Sequence, residues 1–216
     1  MITLVVSSSF GKLSCGIFRG EEPLFSYGPE KLFNSNLGRT VQEGLAAAGL
    51  TAQDLVRLVV DVGPGGTSAV RTGVAFINGL SYSLDLPVFA IASLESLAAQ
   101  AGHSVGGESV CAVANSLGDT MYYGYPANDS FRVEYGATSE FFAAIQRQGI
   151  TNICGDPAVI KKLTSQPDGE GLTGLEISAV EPATLLALAQ AGKHESRRFP
   201  NLPIPLAELL AADTKA

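Results

Sequence analysis

One stretch concentrates the residue types that could do chemistry: Asp61-Val62-Gly63-Pro64-Gly65-Gly66-Thr67-Ser68-Ala69-Val70-Arg71-Thr72-Gly73. It continues a short apolar, β-branched run, Leu58 to Val62, and reads as a buried strand, a tight loop and a helix start. Pro64-Gly65 fits the central positions of a type II turn, where proline fixes φ and glycine accepts φ > 0. Thr67 or Ser68 is placed to cap the helix, and Arg71 falls in its first turn, where its charge opposes the helix dipole. Asp61, Gly63, Pro64, Gly65, Gly66, Thr67 and Arg71 therefore form either an anion site at a helix N-terminus or a connection that needs glycine only for geometry. Asp61, at the strand end, is expected to accept N–H groups of its own loop rather than to act in catalysis.

Other chemistries find less support. The two histidines, His103 and His194, have no His, Cys or carboxylate at metal-ligand spacing, so no metal site is expected. There is no Gly-x-Ser-x-Gly elbow for a serine nucleophile, and Gly65-Gly66 leads into no lysine as a Walker loop would. No catalytic residue and no cofactor is therefore assigned. Cys15, Cys111 and Cys154 sit far apart in apolar runs, as buried reduced thiols do. A net charge of −7 over 216 residues repels phosphate backbones, and there is no run of lysines or arginines longer than a pair such as Arg197-Arg198, so unaided nucleic-acid binding is not expected. The N-terminus has no basic region before its short β-branched run, and no run of 18 apolar residues occurs; a cytoplasmic protein without membrane contact is expected.

The elements that must position these residues come in a repeating order. Ile2 to Ser8, Lys12 to Arg19 and Pro23 to Tyr27 read as an antiparallel meander. A helix from Asn36 to Leu50 is ended by Gly49; a strand at Arg57 to Val62, a helix at Ala69 to Leu84, a strand at Val88 to Ile91 and a helix at Leu94 to Ala101 capped by Ser93 follow. The second half repeats the order with strands at Ser109 to Asn115, Thr120 to Tyr125 and Phe131 to Tyr135, a helix at Ser139 to Gln148, a strand at Thr151 to Cys154 and a helix at Pro157 to Leu163. Gln166 to Gly174 reads as a mobile loop, and a strand near Leu175 to Ala179 and a helix from Pro182 to Gly192 complete it. A proline-rich tail (Pro200, Pro203, Pro205) precedes a short helical stretch, Leu206 to Ala212. Two βββαβαβα units predict an α/β protein of two tandem ribonuclease-H-like lobes, 1–104 and 105–216, on the plan of the actin and sugar-kinase superfamily. That plan places metal-bound phosphates at the turn after the first strand of each lobe. These turns read Ser7-Ser8-Ser9-Phe10-Gly11 and Asn115-Ser116-Leu117-Gly118-Asp119, without an acidic residue at either strand end, so phosphoryl transfer by this chain alone is not expected.

Gly63, Pro64, Gly65, Arg71 and Gly73 fall in register with the motif Gly-Pro-Gly-Ser-Phe-Thr-Gly-Leu-Arg-x-Gly of the TsaB (YeaZ) family, which this chain resembles. Gly79-Leu80, Leu86-Pro87-Val88 and Ala92-Ser93-Leu94-Glu95-Ser96-Leu97-Ala98 are similar to further segments of that family. The chain departs from it where Asp-Thr-Ser becomes Ser7-Ser8-Ser9, where Ser-Phe-Thr-Gly becomes Gly66-Thr67-Ser68-Ala69, where Asp-Ala-Arg becomes Asn115-Ser116-Leu117 and where the Glu of Glu-Val-Tyr becomes Thr120. The resemblance implies a divergent, non-catalytic scaffold subunit of the bacterial machinery that attaches threonylcarbamoyl to tRNA. It implies a TsaD-like partner, a homodimer when alone, a TsaE-like ATPase reached through the complex and tRNA contacted only indirectly. It also implies that Arg39, Thr40, Glu43, Ala47, Thr72, Ala75, Phe76, Gly79 and Ser83 form the partner interface, on two helices. A glycoprotease-like hydrolase and a superfamily ATPase or kinase are the alternatives.

Overall fold

In the computed structural model of the protein, residues 1–31, 36–128 and 130–197 are described; the proline-rich tail and the expected helix at Leu206 to Ala212 lie outside them. The first sheet holds β1 (Ile2–Ser7), β2 (Lys12–Arg19), β3 (Glu22–Lys31), β4 (Leu55–Asp61) and β5 (Val88–Ile91) in the order β3-β2-β1-β4-β5. β1, β2 and β3 form an antiparallel meander, whereas β4 pairs parallel to β1 and β5 parallel to β4. After its first residue, β1 is buried throughout, as a central strand covered on both faces must be. Leu4, Val6, Leu58 and Val60 point to one face and pack with Leu37, Val41 and Leu45 of α1 (Leu37–Ala47) and Val70, Val74 and Ile77 of α2 (Thr67–Leu84). α1 starts where Asn36 accepts the Arg39 N–H at 3.1 Å and ends before Gly49, whose φ of +67° suits glycine.

The second sheet repeats the plan. α3 (Ser93–Ser104) precedes β6 (Val110–Leu117), β7 (Thr120–Ala127), β8 (Ser130–Ala137), β9 (Asn152–Gly155) and β10 (Thr173–Gly174), which stand in the order β10-β9-β6-β7-β8. α4 (Thr138–Gln148) and α5 (Pro157–Thr164) supply Phe141, Phe142, Ile145, Val159 and Leu163 to a core with Cys111, Val113, Met121, Tyr123 and Ile153. These are two tandem ribonuclease-H-like lobes. Phe141 is fully buried, edge-on to Tyr123 and Phe142 at ring separations of 5.7 and 5.2 Å. Truncating it to alanine is expected to cost about 3–5 kcal/mol, read as a lower denaturation midpoint by circular dichroism, because such a core cannot close over the lost ring.

Three expectations are corrected. The strand sought at Leu175 to Ala179 begins earlier, inside the segment read as a mobile loop. Thr173 N–H bonds Thr151 O at 2.9 Å and Leu175 N–H bonds Ile153 O at 2.8 Å, so β9 recruits this segment as its parallel neighbour. The second correction is at α2, which begins at Thr67 with Gly66 as its cap residue; Val70 N–H already closes on Gly66 O at 3.0 Å. Third, α6 (Pro182–Gln190), read as completing the second lobe, packs on β1, β2, β4 and β5 of the first sheet. Gly16 in β2 makes room for it, since a Cβ there would stand 2.9 Å from Pro182 Cβ. The compact units are accordingly Met1–Ser93 with the segment from Val180, and Leu94–Ala179.

Candidate functional site

The loop between β4 and α2 is built around Asp61. Parallel pairing matches Val6 with Val60, so the next residues, Ser7 and Asp61, stand side by side at the ends of β1 and β4. Asp61 is fully buried; Ser7 Oγ donates to its Oδ2 at 2.6 Å and Gly63 N–H donates to its Oδ1 at 2.8 Å. Burial pushes the Asp61 carboxyl above its ordinary range, while the Ser7, Ser9 and Ser93 hydroxyls and the Gly63 amide favour the ionised form. Gly63 holds φ at +90°, the Gly63–Pro64 bond is cis, and Ser93 fastens the loop by donating its N–H to Gly63 O at 2.8 Å and its hydroxyl to Pro64 O at 2.7 Å. The turn is therefore not type II: the left-handed residue is Gly63. Gly65 is needed for close approach, as a Cβ there would meet Val70 Cγ2 at 3.0 Å and Ser9 Oγ at 3.1 Å.

The acceptor that the Gly63 amide serves is the chain's own Asp61. Arg71 and Gly66 are exposed, Pro64 and Gly65 are buried, and Arg71 makes no ion pair among the described residues. Thr67 opens the helix; its side chain is outside the described set. The expectation of no acid at the strand ends holds for β1 but misses that β4 supplies a carboxylate to the same turn. The signal was in the sequence: a parallel β1–β4 pair sets residue 7 beside residue 61. At the second turn, Lys162 donates to Gly118 O at 2.8 Å and approaches Asp119 Oδ1 at 3.7 Å.

The residues assigned to a partner face divide by exposure. On α2, Thr72, Ala75, Gly79 and Ser83 are exposed, and nothing lies within 4 Å of a Cβ built on Gly79. Phe76 is half-buried and lines a groove of about 480 Å³ with Val41, Leu45, Leu50 and Leu80, between α1 and α2. On α1, Arg39, Glu43 and Ala47 are exposed, and Arg39 pairs with Glu43 at 2.7 Å. Thr40 is buried beside Leu37, Val41, Gly44 and Leu45 and so does not belong to the exposed face. Sequence reasoning missed Tyr82, a residue 75% exposed on the same side of α2 as Ala75. An aromatic among small residues at i, i+7 spacing was the available sign.

The remaining reactive groups are inert in character. Cys15, Cys111 and Cys154 are buried and free; burial pushes the Cys15 and Cys154 thiols up to about 12 and raises Cys111 as well. His103 lies exposed in α3. Among the described residues no three His, Cys, Asp or Glu side chains gather as a metal site would require, and no helix is long and apolar enough to cross a membrane.

Comparison with known proteins fits this architecture. The family model described as "TsaD: tRNA N6-adenosine threonylcarbamoyltransferase" matches residues 29–158, more than half of the chain. The chain is 24% identical over 188 residues to the tRNA threonylcarbamoyladenosine biosynthesis protein TsaB of Haemophilus influenzae, covering 81% of this chain and 78% of that one. It is 46% identical over 54 residues to the TsaB of Bacillus subtilis, covering 25% of this chain and 24% of that one. A crystal structure of a Pseudomonas aeruginosa protein described as similar to the peptidase YeaZ superposes with a TM-score of 0.72 at 21% identity, over 95% of this chain and 99% of that chain, and so shares the fold. The chain belongs to this family, as one of its TsaB (YeaZ) members.

Proposed function

We propose that this chain is a non-catalytic accessory subunit that acts with a TsaD-like protein in tRNA threonylcarbamoyladenosine biosynthesis. The observation that carries the reading is the outward face of α2, where Thr72, Ala75, Gly79 and Ser83 present exposed small side chains beside Arg39, Glu43 and Ala47 of α1. Small residues let a second pair of helices approach closely, as a helical partner requires. The names of the relatives supply the process: TsaB is a threonylcarbamoyladenosine biosynthesis protein, and the matching family model is that of the threonylcarbamoyltransferase. A scaffold role also suits Asp61, whose carboxylate is enclosed and engaged by Ser7 and Gly63 instead of facing a substrate. In this reading the chain pairs with itself when alone, exchanges into the complex through the same face, and meets a TsaE-like ATPase and tRNA only through the assembly, in the cytoplasm.

The test is reconstitution. The pure chain, mixed with the TsaD-like subunit of the same cell, is expected to co-elute in size-exclusion chromatography and to be required for threonylcarbamoylation of tRNA, while showing no activity by itself. Metal-dependent ATP turnover by the pure chain, lost in Asp61→Asn or Asp119→Asn, would overturn the reading in favour of a superfamily ATPase.

A further inference from the structure

Asp61 is a buried carboxylate that the accessory role does not use chemically, yet it sits at the junction on which α2 depends. Its two oxygens face different elements: Oδ1 takes the Gly63 amide, 2.8 Å away in the loop, and Oδ2 takes the Ser7 hydroxyl, 2.6 Å away at the end of β1. Four residues after Gly63 the helix begins, and Ser93 ties the loop further through its N–H to Gly63 O and its hydroxyl to Pro64 O. We propose that Asp61 is the positioning residue of α2, fastening the end of β1 to the loop that launches the helix through hydrogen-bond geometry rather than through charge. The inference rests on the reading that α2 faces a partner, and adds the residue that fixes how the helix is presented.

The geometry permits this in either protonation state. The Gly63 amide can only donate, so Oδ1 must accept in both. A hydroxyl donates or accepts, so Ser7 gives its proton to an ionised Oδ2 and accepts one from a protonated Oδ2. The surroundings lack charge. Ser7 and Ser9 act on it from β1 and its turn and Ser93 from the start of α3, none of them titratable; of the helices packed on β1 and β4, α6 contains no charged residue between Pro182 and Gln190, and the one charged residue of α2, Arg71, is exposed. Arg57, four residues back on the same face of β4, is about 13 Å away at strand spacing and engages Thr3 Oγ1 and the Phe89 ring instead.

An asparagine offers the same pattern, its carbonyl to Gly63 and its amide N–H to Ser7; an alanine leaves both partners buried without a bond. Asp61→Asn is therefore expected to bind the TsaD-like subunit within about twofold of the parent, and Asp61→Ala about tenfold more weakly, as loss of a buried hydrogen-bonded group implies. The second readout is pH. Because burial raises the folded-state pKa above the unfolded value, the native state holds its proton more tightly, so this group's contribution to stability is complete below the unfolded pKa of about 3.9 and declines as pH rises toward the folded value. The melting temperature of the parent relative to Asp61→Asn should fall over that rise, and Asp61→Asn should lack the slope. Amide exchange at Gly63 and Val70, measured by NMR on each folded variant, separates the two claims. Accelerated exchange in Asp61→Ala with unchanged binding would overturn the partner face and leave the fastening intact. Unchanged exchange in Asp61→Ala, or Asp61→Asn as impaired as Asp61→Ala, would overturn the positioning role.

Discussion

Gly79→Arg is expected to abolish association with the TsaD-like subunit while leaving the chain folded and slightly more stable. The two effects have opposite signs because they arise on opposite sides of one surface. Within the protein, Gly79 lies at the middle of an exposed helix face with open space around it, and an exposed arginine is a better helix former than glycine by about 0.8–1 kcal/mol. In a close helix–helix contact the same arginine displaces the partner backbone and carries an unpaired charge into the interface, at about 3 kcal/mol or more, which is about a hundredfold in affinity. A melting curve and a sedimentation titration on one preparation check both. Retained association in a folded Gly79→Arg variant would show that α2 is not the contact helix.

The second large effect is at the contact between β1 and α2. A Cβ on Gly73 would collide with Ser8 Oγ, and Val6 Cγ1 stands 3.8 Å off on the same side. Ser8 is buried in the turn that follows β1, so Gly73→Ala is expected to destabilise by about 1–3 kcal/mol, the cost of overpacking a closed site. The Ser8 hydroxyl has no hydrogen-bond partner among the described residues, so Ser8→Ala alone should stabilise by about 1 kcal/mol, the penalty of burying an unmatched hydroxyl. The pair makes a cycle whose coupling is fixed in advance: Ser8→Ala removes the atom that Gly73→Ala strikes, and the double variant should recover most of the loss. Additive single effects in urea unfolding would mean that α2 is not held against β1 at this point.

The sequence made the two-lobe plan legible because it rests on period and punctuation. The apolar runs at Ile2–Ser7 and Leu55–Asp61, the glycines after α1 and α4 and the repeated strand-helix order are local signals, and the elements follow them closely. What stayed hidden was pairing between distant segments. Nothing local marks Thr173–Gly174 as a partner for β9, or tells α6 which sheet to cover; both are settled by which faces are left bare once the other elements have packed. The candidate site divides the same way. That Asp61 would take an amide of its own loop follows from its place two residues before Gly63, whereas the Ser7 bond spans 54 residues and needs the β1–β4 register. On the proposed partner face, the residues that the resemblance named on α2 are exposed apart from the half-buried Phe76, whereas Thr40 of α1 is buried, because one helix turn offers several candidate inner edges and only packing against Phe25 and β2 selects among them.

The return of α6 to the first sheet has a bearing on synthesis. While the ribosome is still making the second lobe, the segments of β1, β2, β4 and β5 have already been translated, but the helix that covers the face bearing Val5, Gly16 and Val59 has not. The first lobe thus cannot mature ahead of the second in the order of translation, as separate domains commonly do. Its completion waits for residues near position 190 to emerge. The nascent chain must carry a half-clad sheet through that interval, which makes this lobe's apolar face, rather than its finished surface, the feature most exposed to chaperones and to misassembly.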